Sequence, residues 1–490
     1  MRKDLLPQIK EGTGLAWLFL GFVLLIMAIF SRVIWVNSHP SWEMWQIKYY
    51  QSQIAQYESK LEATQNPMLK KALEQQRDNM KEQKPEIKTL ILTNGKIEHC
   101  QTCHLGIEEI SDSHPSQALG CVVCHGGNAL SLDQNVAHAG MYGAGHPGRL
   151  EVSQLSCGSQ TSNAQCHSGH TRSEDNQVDL VQSSLMVNKG GELSMIRYMH
   201  GLDKSPKISI KSGEIASQVP SPFNGQPLEQ KLLDNCLEVC HQSNGKLPEQ
   251  ASSANGCESC HVLTGWNHTY QGQDVTVKGT AGHGLTHRLT TQIPYTQCNQ
   301  CHNQGMPNLY NTQFDPRPDL ARVKTSSESS KETPSDRLKN VYQPGMVFTK
   351  CEVELDCIDC HTRQEVMGDG HFYATEYQSL KIQCYDCHGT KERRPLAWTV
   401  GTPDDLAFEE EQVNTNFPRM NTGDQILKTD KGEELPYIRQ EAGGWVLTLK
   451  DTGKKYPIPL VYGSGCQQDP EAQSSNDCHK CHDVSGNLKK

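Results

Sequence analysis

The chain has 490 residues, of which 36% are apolar, and a formal net charge of −10 at pH 7. An acidic balance excludes a general nucleic-acid-binding surface. The mean hydropathy of −0.62 is low for a globular protein of this length, because core burial must offset the conformational entropy lost on folding. The composition therefore predicts that something other than aliphatic side chains fills part of the interior.

The first predicted element is an apolar segment near the amino terminus. Residues 13–31 carry no charged side chain, and nineteen helical residues cover most of a bilayer core of about 30 Å. Basic residues precede the segment, so the positive-inside rule places residues 1–12 in the cytoplasm. We expect residues 13–36 to be a single-pass anchor in a bacterial cytoplasmic membrane, with the rest of the chain on the outer side. A cleaved signal peptide is the alternative.

Residues 37–92 are predicted to form a helical stalk. Apolar and aromatic side chains recur there at alternating spacings of three and four, which is typical of one helix face: Ile47, Tyr50, Ile54, Tyr57 and Leu61. Asn66 and Pro67 interrupt the pattern, and a charged helical stretch follows. This face either packs on its own domain or contacts a partner, and the second case would give an oligomer through the stalk helix.

Cysteine and histidine dominate the sequence after the stalk. The chain has 20 Cys and 21 His, and ten Cys are followed directly by His, whereas chance would give about one. Seven segments read Cys-x-x-Cys-His. Their cysteines are Cys100 and Cys103, Cys121 and Cys124, Cys257 and Cys260, Cys298 and Cys301, Cys357 and Cys360, Cys384 and Cys387, and Cys478 and Cys481. The histidines that follow are His104, His125, His261, His302, His361, His388 and His482.

This spacing is typical of covalent haem attachment. Two thiols three residues apart can form thioethers to one haem, and the next residue, His, can then ligate the iron. Zinc sites also use paired cysteines, and disulfides use them in oxidising compartments, but neither requires a His after every second cysteine. The seven segments therefore predict seven haems of the c type.

Two further segments are longer versions of the motif. The first has one extra residue between its cysteines and consists of Cys236, Cys240 and His241. The second has eight residues between its cysteines and consists of Cys157, Cys166 and His167. A longer loop can bulge outwards while both thiols reach the cofactor, so we expect about nine covalent haems. A local disulfide with an incidental His is the alternative. Cys351 and Cys466 remain, and in an oxidising compartment they would suit a disulfide.

A low-spin haem iron takes a second axial ligand. After exclusions by position, nine His remain as candidates: His114, His138, His146, His170, His200, His268, His283, His287 and His371. Nine candidates for nine irons predict two His on every iron and no open coordination position. Met is the alternative ligand, and it would raise the reduction potential.

The predicted fold is mostly α-helical and irregular, organised by haem, with a transmembrane helix, a helical stalk and a small antiparallel β-meander near the carboxyl terminus. The expected boundaries are haem cluster one at residues 93–210, haem cluster two at 211–310, a polar linker at 311–350, haem cluster three at 351–390, the β-meander at 391–465 and a final haem segment at 466–490. Strands are expected at residues 425–429, 435–440, 445–450 and 455–461, between Gly-containing turns.

At three segments the chain resembles the membrane-anchored multihaem cytochromes of bacterial anaerobic respiratory chains. They are residues 100–107 (CQTCHLGI), 120–127 (GCVVCHGG) and 356–370, which begin DCIDCH and end VMGDG. The likeness covers roughly residues 85–390. It implies electron transfer near a quinol-oxidising or terminal-reductase complex. The chain departs from haem-containing nitrite reductases, because it has no Cys-x-x-Cys-Lys segment.

Three functions are compatible with these features. We expect an electron carrier that links a quinol-oxidising or respiratory complex to an acceptor outside the cytoplasmic membrane. The alternative is a multihaem oxidoreductase that reduces a nitrogen or sulfur oxyanion at one open iron. A haem-bearing structural subunit of a larger complex is the third possibility. The sequence leaves open whether the chain is an enzyme.

Overall fold

The computed structural model of the chain describes residues 5–38, 40–158, 166–172, 175–187, 198, 204, 210–211, 256–265, 268–298, 301–302, 305–308, 313–316, 351, 354–373, 376–402, 405–408, 414–417, 419–466 and 474–482. Most of the linker expected at residues 311–350 lies outside these ranges. So do the expected haem ligand His200 and the whole attachment segment Cys236, Cys240 and His241.

The chain forms two compact units. Unit 1 comprises residues 1–107, 128–139 and 273–276, and unit 2 comprises residues 108–127, 140–272 and 277–490. Each unit is therefore assembled from separate stretches of the chain. Cys100 and Cys103 therefore belong to unit 1, and the other predicted attachment cysteines belong to unit 2.

Unit 1 begins with helix α1, Leu5–Ser38, which includes the expected anchor and extends beyond it at both ends. Among the residues that the structure describes, no helix has the combined length and apolar character needed to cross a membrane. Pro40 then separates α1 from the next helix.

Helices α2, Ser41–Ala63, and α3, Pro67–Glu82, pack against each other where a stalk was expected. Asn66 begins α3, because its side-chain oxygen accepts hydrogen bonds from the N–H groups of Met68 at 3.0 Å and Leu69 at 3.3 Å. Leu61 of α2 and Leu73 of α3 are buried.

The buried face of α2 differs from the predicted seam. Ile47 is 43% exposed, whereas Gln46 is fully buried. The Gln46 amide donates hydrogen bonds to the carbonyls of Glu86 at 2.7 Å and Thr102 at 2.9 Å, and its oxygen accepts one from the Glu86 N–H at 3.0 Å. A polar side chain thus docks this helix on its own unit, which supports the interpretation that the face packs internally. Oligomer formation stays a prediction.

The remaining described helices are short. They are α4 Ser116–Leu119, α5 Val122–His125, α6 Gln134–Ala137, α7 Gln177–Leu180, α8 Glu258–His261, α9 Tyr295–Cys298, α10 Cys357–Cys360, α11 Arg363–Met367, α12 Glu376–Ser379, α13 Cys384–His388 and α14 Ser475–His482. Three two-stranded ribbons accompany them: β1 Leu90–Ile91 with β2 Ile97–Glu98, β3 Ile210–Lys211 with β6 His371–Phe372, and β4 Gly305–Asn308 with β5 Gln313–Pro316.

The largest described sheet is an antiparallel meander of five strands in the Cys-free segment. Its strands are β7 Ala397–Thr399, β8 Gln425–Lys428, β9 Glu434–Glu441, β10 Gly444–Thr448 and β11 Lys455–Pro457, paired in sequence order. The last four coincide with the strands that the alternating pattern predicted. Strand β7 was not predicted, because it is three residues long and all three are exposed.

Both faces of this sheet are covered by apolar side chains. Ile426 and Leu427 are adjacent in β8 and fully buried, yet they belong to different clusters, since neighbouring side chains of a strand point to opposite faces. The cluster around Leu427 includes three partly buried residues from the motif regions, Leu355, Ile382 and Cys387. The sheet therefore shares its core with a predicted attachment segment.

The sheet core yields a stability prediction. Leu435→Ala should lower the free energy of unfolding by about 2–5 kcal/mol, because the side chain is fully buried and its removal leaves a cavity. Leu396→Ala is the matched control: that side chain is 47% exposed and should cost less than about 0.5 kcal/mol. Amide hydrogen exchange of β8 to β10 reports the sheet specifically. Equal losses in the two variants would contradict the assigned core.

Candidate functional site

The Cys-x-x-Cys-His segments share a local geometry. In five of the seven, the N–H of the His donates a hydrogen bond to the carbonyl of the first cysteine, as in one turn of α-helix, and His388 and His482 each end an α-helix that contains their first cysteine. The distances are 3.0 Å for His104 to Cys100, 3.0 Å for His125 to Cys121, 3.0 Å for His261 to Cys257, 2.9 Å for His302 to Cys298 and 2.8 Å for His361 to Cys357. Residues three and four apart share a helix face, so the two thiols and the imidazole can address one ligand.

The long segment closes in the same way. The His167 N–H donates to the Cys157 carbonyl at 3.1 Å, although eight residues separate the two cysteines. The Ser168 hydroxyl donates to the Gly158 carbonyl at 3.1 Å, beside this contact. Cys157 and His167 thus keep the relation found in the standard motif.

Three motif histidines lie opposite histidines that were expected as second ligands. The ring centres are 6.0 Å apart for His104 and His138, 6.1 Å for His167 and His114, and 5.8 Å for His125 and His287. An iron held about 2 Å from one nitrogen of each ring sets the ring centres about 6 Å apart. The chain's own residues thus fit a two-imidazole iron at these three places.

A fourth pair does not follow the expected scheme. His146 and His283 stack with ring centres 5.3 Å apart, and neither belongs to an attachment motif. Nδ1 of His146 lies 3.3 Å from Oε1 of Glu258, next to Cys257. The structure therefore brings together two histidines that were expected on separate irons.

Backbone carbonyls fix the tautomer of three rings. Nδ1 lies 2.9 Å from the Thr290 carbonyl in His261, 2.7 Å from the Pro459 carbonyl in His388 and 3.0 Å from the Glu108 carbonyl in His287. A carbonyl oxygen only accepts, so Nδ1 must carry the hydrogen in each case. The lone pair of the neutral ring is then on Nε2, which is the arrangement of metal-ligating histidines.

At two other rings, the acceptor at Nδ1 is a buried carboxylate instead of a backbone carbonyl. Nδ1 of His104 lies 2.7 Å from Oδ2 of Asp274, and Nδ1 of His361 lies 3.0 Å from Oε2 of Glu365. Burial works against protonation of His104, but the bond and charge of Asp274 outweigh it and raise the pKa of the ring. The hydrogen bond that His361 donates to Glu365 raises the pKa of the ring. Acceptors at Nδ1 thus orient motif rings at widely separated points of the chain.

Partial shielding from water acts on several further rings, which are half-buried except for the more exposed His138. Burial, the largest cause in each case, lowers the pKa of five of them: His114, His138, His261, His268 and His283. Their neutral form is then favoured at neutral pH. Metal binding requires that form, because the lone pair must be free.

His170 and His268 differ from the other candidates. In His170 it is Nε2 that lies 2.6 Å from a carbonyl, that of Cys166, so this nitrogen is engaged within the protein. His268 has a backbone φ of +48°, a left-handed conformation that is uncommon for a residue other than glycine and that clusters at ligand sites. Nδ1 of His371 lies 3.4 Å from Oδ1 of Asp369.

Attachment segments of unit 2 meet through their first cysteines. The thiols of Cys157 and Cys257 are in hydrogen-bond contact. The bond from Cys257 lowers the pKa of Cys157 to about 7, and the same bond raises the pKa of Cys257 well above its usual range. Similar contacts join Cys298 to Cys357 and Cys384 to Cys478. Three pairs of segments therefore lie side by side.

Further contacts connect these pairs. The Gln297 amide donates to the Ser259 carbonyl at 2.6 Å, which links the Cys257 segment to the Cys298 segment. The Glu365 carboxylate accepts from the Ile382 N–H at 2.9 Å, which links the Cys357 segment to the Cys384 segment. The described segments of unit 2 from Cys157 onwards thus form one continuous series in the order of the sequence.

The two leftover cysteines lie beside motif cysteines. Cys351 is close enough to Cys387, and Cys466 to Cys478, for their charges to interact. Both are free thiols in the structure. A disulfide between Cys351 and Cys466 stays a prediction.

Comparison of the chain with protein-family models, with curated proteins and with solved structures found no match. The arrangement of the motifs is therefore interpreted from the residues of this chain. Sequence reasoning located the cysteines and their histidines, but it missed the groups that hold Nδ1. Glu108, Asp274, Thr290 and Pro459 lie far along the chain from the rings that they contact. No local spacing indicates such partners.

His287 is engaged within the protein at Nδ1 and His170 at Nε2, and this difference gives a test of which histidines ligate iron. His287→Ala should open one iron, because His287 pairs with His125 and presents Nε2. The reduced variant should then bind about one equivalent of CO per chain, seen as a shift of the haem absorption bands. His170→Ala is the control and should bind no additional CO, since Nε2 of His170 is engaged with Cys166. CO binding in the control variant alone would reverse the assignment.

Proposed function

We propose that this chain is a multihaem electron-transfer protein that holds about nine haems of the c type through its cysteine–histidine segments. The observation that carries the proposal is the opposition of motif and non-motif imidazoles at 5.8–6.1 Å. The turn that joins the His to its first cysteine, in standard segments and in the expanded Cys157–His167 segment, supports it independently.

The chain's own residues have distinct roles in this proposal. Cysteine thiols hold the cofactor covalently, and Nε2 of the motif histidines ligates the iron. Carbonyls and carboxylates at Nδ1 hold four of the motif rings, those of His104, His261, His361 and His388, in one orientation, which tunes the ligand. Bound haem supplies reversible one-electron chemistry at iron. The protein sets the potential through the ligands, burial and hydrogen bonds.

The continuous series of segments in unit 2 favours a carrier over a set of isolated binding sites. The segments at Cys157, Cys257, Cys298, Cys357 and Cys384 each contact the next described segment, and the series ends at Cys478. Electrons pass between closely spaced cofactors, so an unbroken series suits transfer over a distance. Under this proposal the partners are redox proteins: a quinol-oxidising or respiratory complex in the membrane, and an acceptor outside it, such as another cytochrome or a terminal reductase.

The alternative proposal is an oxidoreductase that reduces a nitrogen or sulfur oxyanion. That reaction needs an iron with a coordination position open to substrate. The unaltered reduced protein should bind no CO and should give only low-spin ferric signals if it is a carrier with two imidazoles on every iron. One stoichiometric CO adduct would favour the enzyme.

The cofactor content is the direct test of the proposal. A pyridine haemochrome assay and the intact mass should both give about nine haems per chain. Cys157→Ser should remove one normal attachment, because the expanded segment keeps the motif turn. About seven haems, with none affected by Cys157→Ser, would mean that only the standard segments bind haem. Stoichiometric zinc without haem would replace the proposal with a zinc protein, and a mass change on reduction alone would favour disulfides.

The membrane anchor is a second proposal, and it derives from the uncharged segment at residues 13–31. In the structure α1 exposes large apolar side chains, among them Trp17 at 72%, Phe19 at 69% and Phe30 at 64%. Exposed apolar area of this kind marks a surface that another apolar phase or partner covers.

Protease treatment of sealed spheroplasts tests the anchor and its orientation. The haem-bearing part should be released into the medium while a short amino-terminal fragment stays with the membrane, because residues 37–490 are proposed to lie outside. Protein lacking the first 36 residues should appear in the soluble fraction. A soluble mature protein that begins after residue 36 would show that the segment is a signal peptide.

A further inference from the structure

We propose that the five-stranded sheet positions the motif histidines of two neighbouring attachment sites, and that Asp359 and Asp386 are the positioning residues. The inference rests on the proposed function, because it concerns the haem sites at Cys357–His361 and Cys384–His388. It assigns a role to residues 391–465, which contain no Cys or His.

The two aspartates occupy equivalent places. Each is the residue before the second cysteine, in segments that read Cys-x-Asp-Cys-His. Asp359 is 2% exposed and Asp386 is 3% exposed. One carboxylate oxygen of each accepts from the N–H that precedes its own helix: from Asp356 at 2.7 Å in α10 and from Gln383 at 2.7 Å in α13. This oxygen fixes the start of the motif turn.

The other oxygen of each aspartate accepts from the sheet. Oδ1 of Asp359 accepts from the Lys450 N–H at 2.8 Å, just after β10. Oδ1 of Asp386 accepts from the Asp430 N–H at 2.9 Å, in the turn between β8 and β9. Both donors are backbone groups next to strands, so strand pairing sets their positions. Each carboxylate therefore transmits the position of a strand end to a motif helix.

A third contact from the sheet reaches an imidazole directly. Nδ1 of His388 donates to the Pro459 carbonyl at 2.7 Å, and the Val461 N–H donates to the His388 carbonyl at 2.8 Å. The apolar cluster of the sheet also packs against Cys387. The ring of His388 is thus held by the sheet, through Pro459, and by the helix that Asp386 attaches to the sheet.

Such contacts have a measurable consequence at an iron. The orientation of an axial imidazole and the hydrogen bond at its Nδ1 influence the electronic structure and potential of a haem. A shift in the motif helix moves the imidazole relative to the macrocycle. Each aspartate should therefore affect one haem and leave the others unchanged.

The experiment uses the full-length, haem-loaded protein with Asp359→Asn and with Asp386→Asn. An amide has one oxygen, so one of the two N–H donors loses its acceptor in each variant. We expect an unchanged haem count. About one ninth of the low-spin ferric EPR intensity should move to new g values, with a shift in one reduction potential. Amide exchange should become faster at Lys450 in the first variant and at Asp430 in the second.

Asp430→Asn is the matched control for charge. Its carboxylate pairs with Arg393 at 2.7 Å, whereas the contact with Asp386 uses only the backbone N–H. Removal of this charge should leave the g values unchanged, since the positioning contact is kept. An equal spectral change in the control and in Asp386→Asn would show that charge alone acts, and the inference would be overturned.

Two other results also decide the matter. A full haem count with unchanged EPR spectra in both aspartate variants would overturn the inference and leave the proposed function standing. Absence of haem from the unaltered protein would overturn the proposed function itself. If either variant fails to fold, the unaltered protein still gives the answer. Slow amide exchange at Lys450 and Asp430 supports the contacts, and exchange at the rate of exposed turns excludes them.

Discussion

The imidazole ring has two nitrogens, and the structure around the motifs depends on which one donates a hydrogen bond within the protein and which one keeps its lone pair available. Where Nδ1 donates to a carbonyl, as in His261, His287 and His388, the neutral ring presents its lone pair at Nε2. The protein must then supply an acceptor at a defined place beside each ring. In unit 2 the fold brings three such acceptors, the carbonyls of Thr290, Glu108 and Pro459, from distant parts of the chain. The resulting ring orientation suits an iron on the other side.

The Cys-x-x-Cys-His segments could be located from the sequence because their spacing is local, and haem attachment at them stays a prediction. Cysteines and histidines at spacings of three and four meet within one helical turn, so Cys357–His361 required no knowledge of the fold. The last four strands of the sheet were predictable for a similar reason, since alternation and turn residues are local features. The acceptors at Nδ1 were not predictable. Thr290 is 29 residues from His261, and Glu108 is 179 residues from His287.

The same distinction explains the errors of detail on α2. The apolar repeat indicated a seam that included Ile47, but the fold buries Gln46 because Glu86 and Thr102 offer it partners. A buried amide with satisfied hydrogen bonds costs little, whereas an unsatisfied one costs about 1–3 kcal/mol. Patterns of apolar residues contain no information on such partners. Buried polar side chains whose partners come from elsewhere in the fold are therefore the part of this structure that cannot be predicted from the sequence pattern.

The low apolar content also has a structural counterpart. Large buried aliphatic side chains concentrate in the sheet, around Leu427 and Leu435. Around the attachment segments the buried residues are largely Ser, Thr, Asp and Gln, and Gln297 is an example that joins two segments through the Ser259 carbonyl. Hydrogen-bonded polar groups specify geometry but contribute little net burial energy. An apolar macrocycle fixed by two thioethers would supply the missing apolar surface at these places. Under the proposed function the cofactors would therefore be a structural requirement as well as the redox centres, and the sheet is the described region that depends least on them for its apolar core.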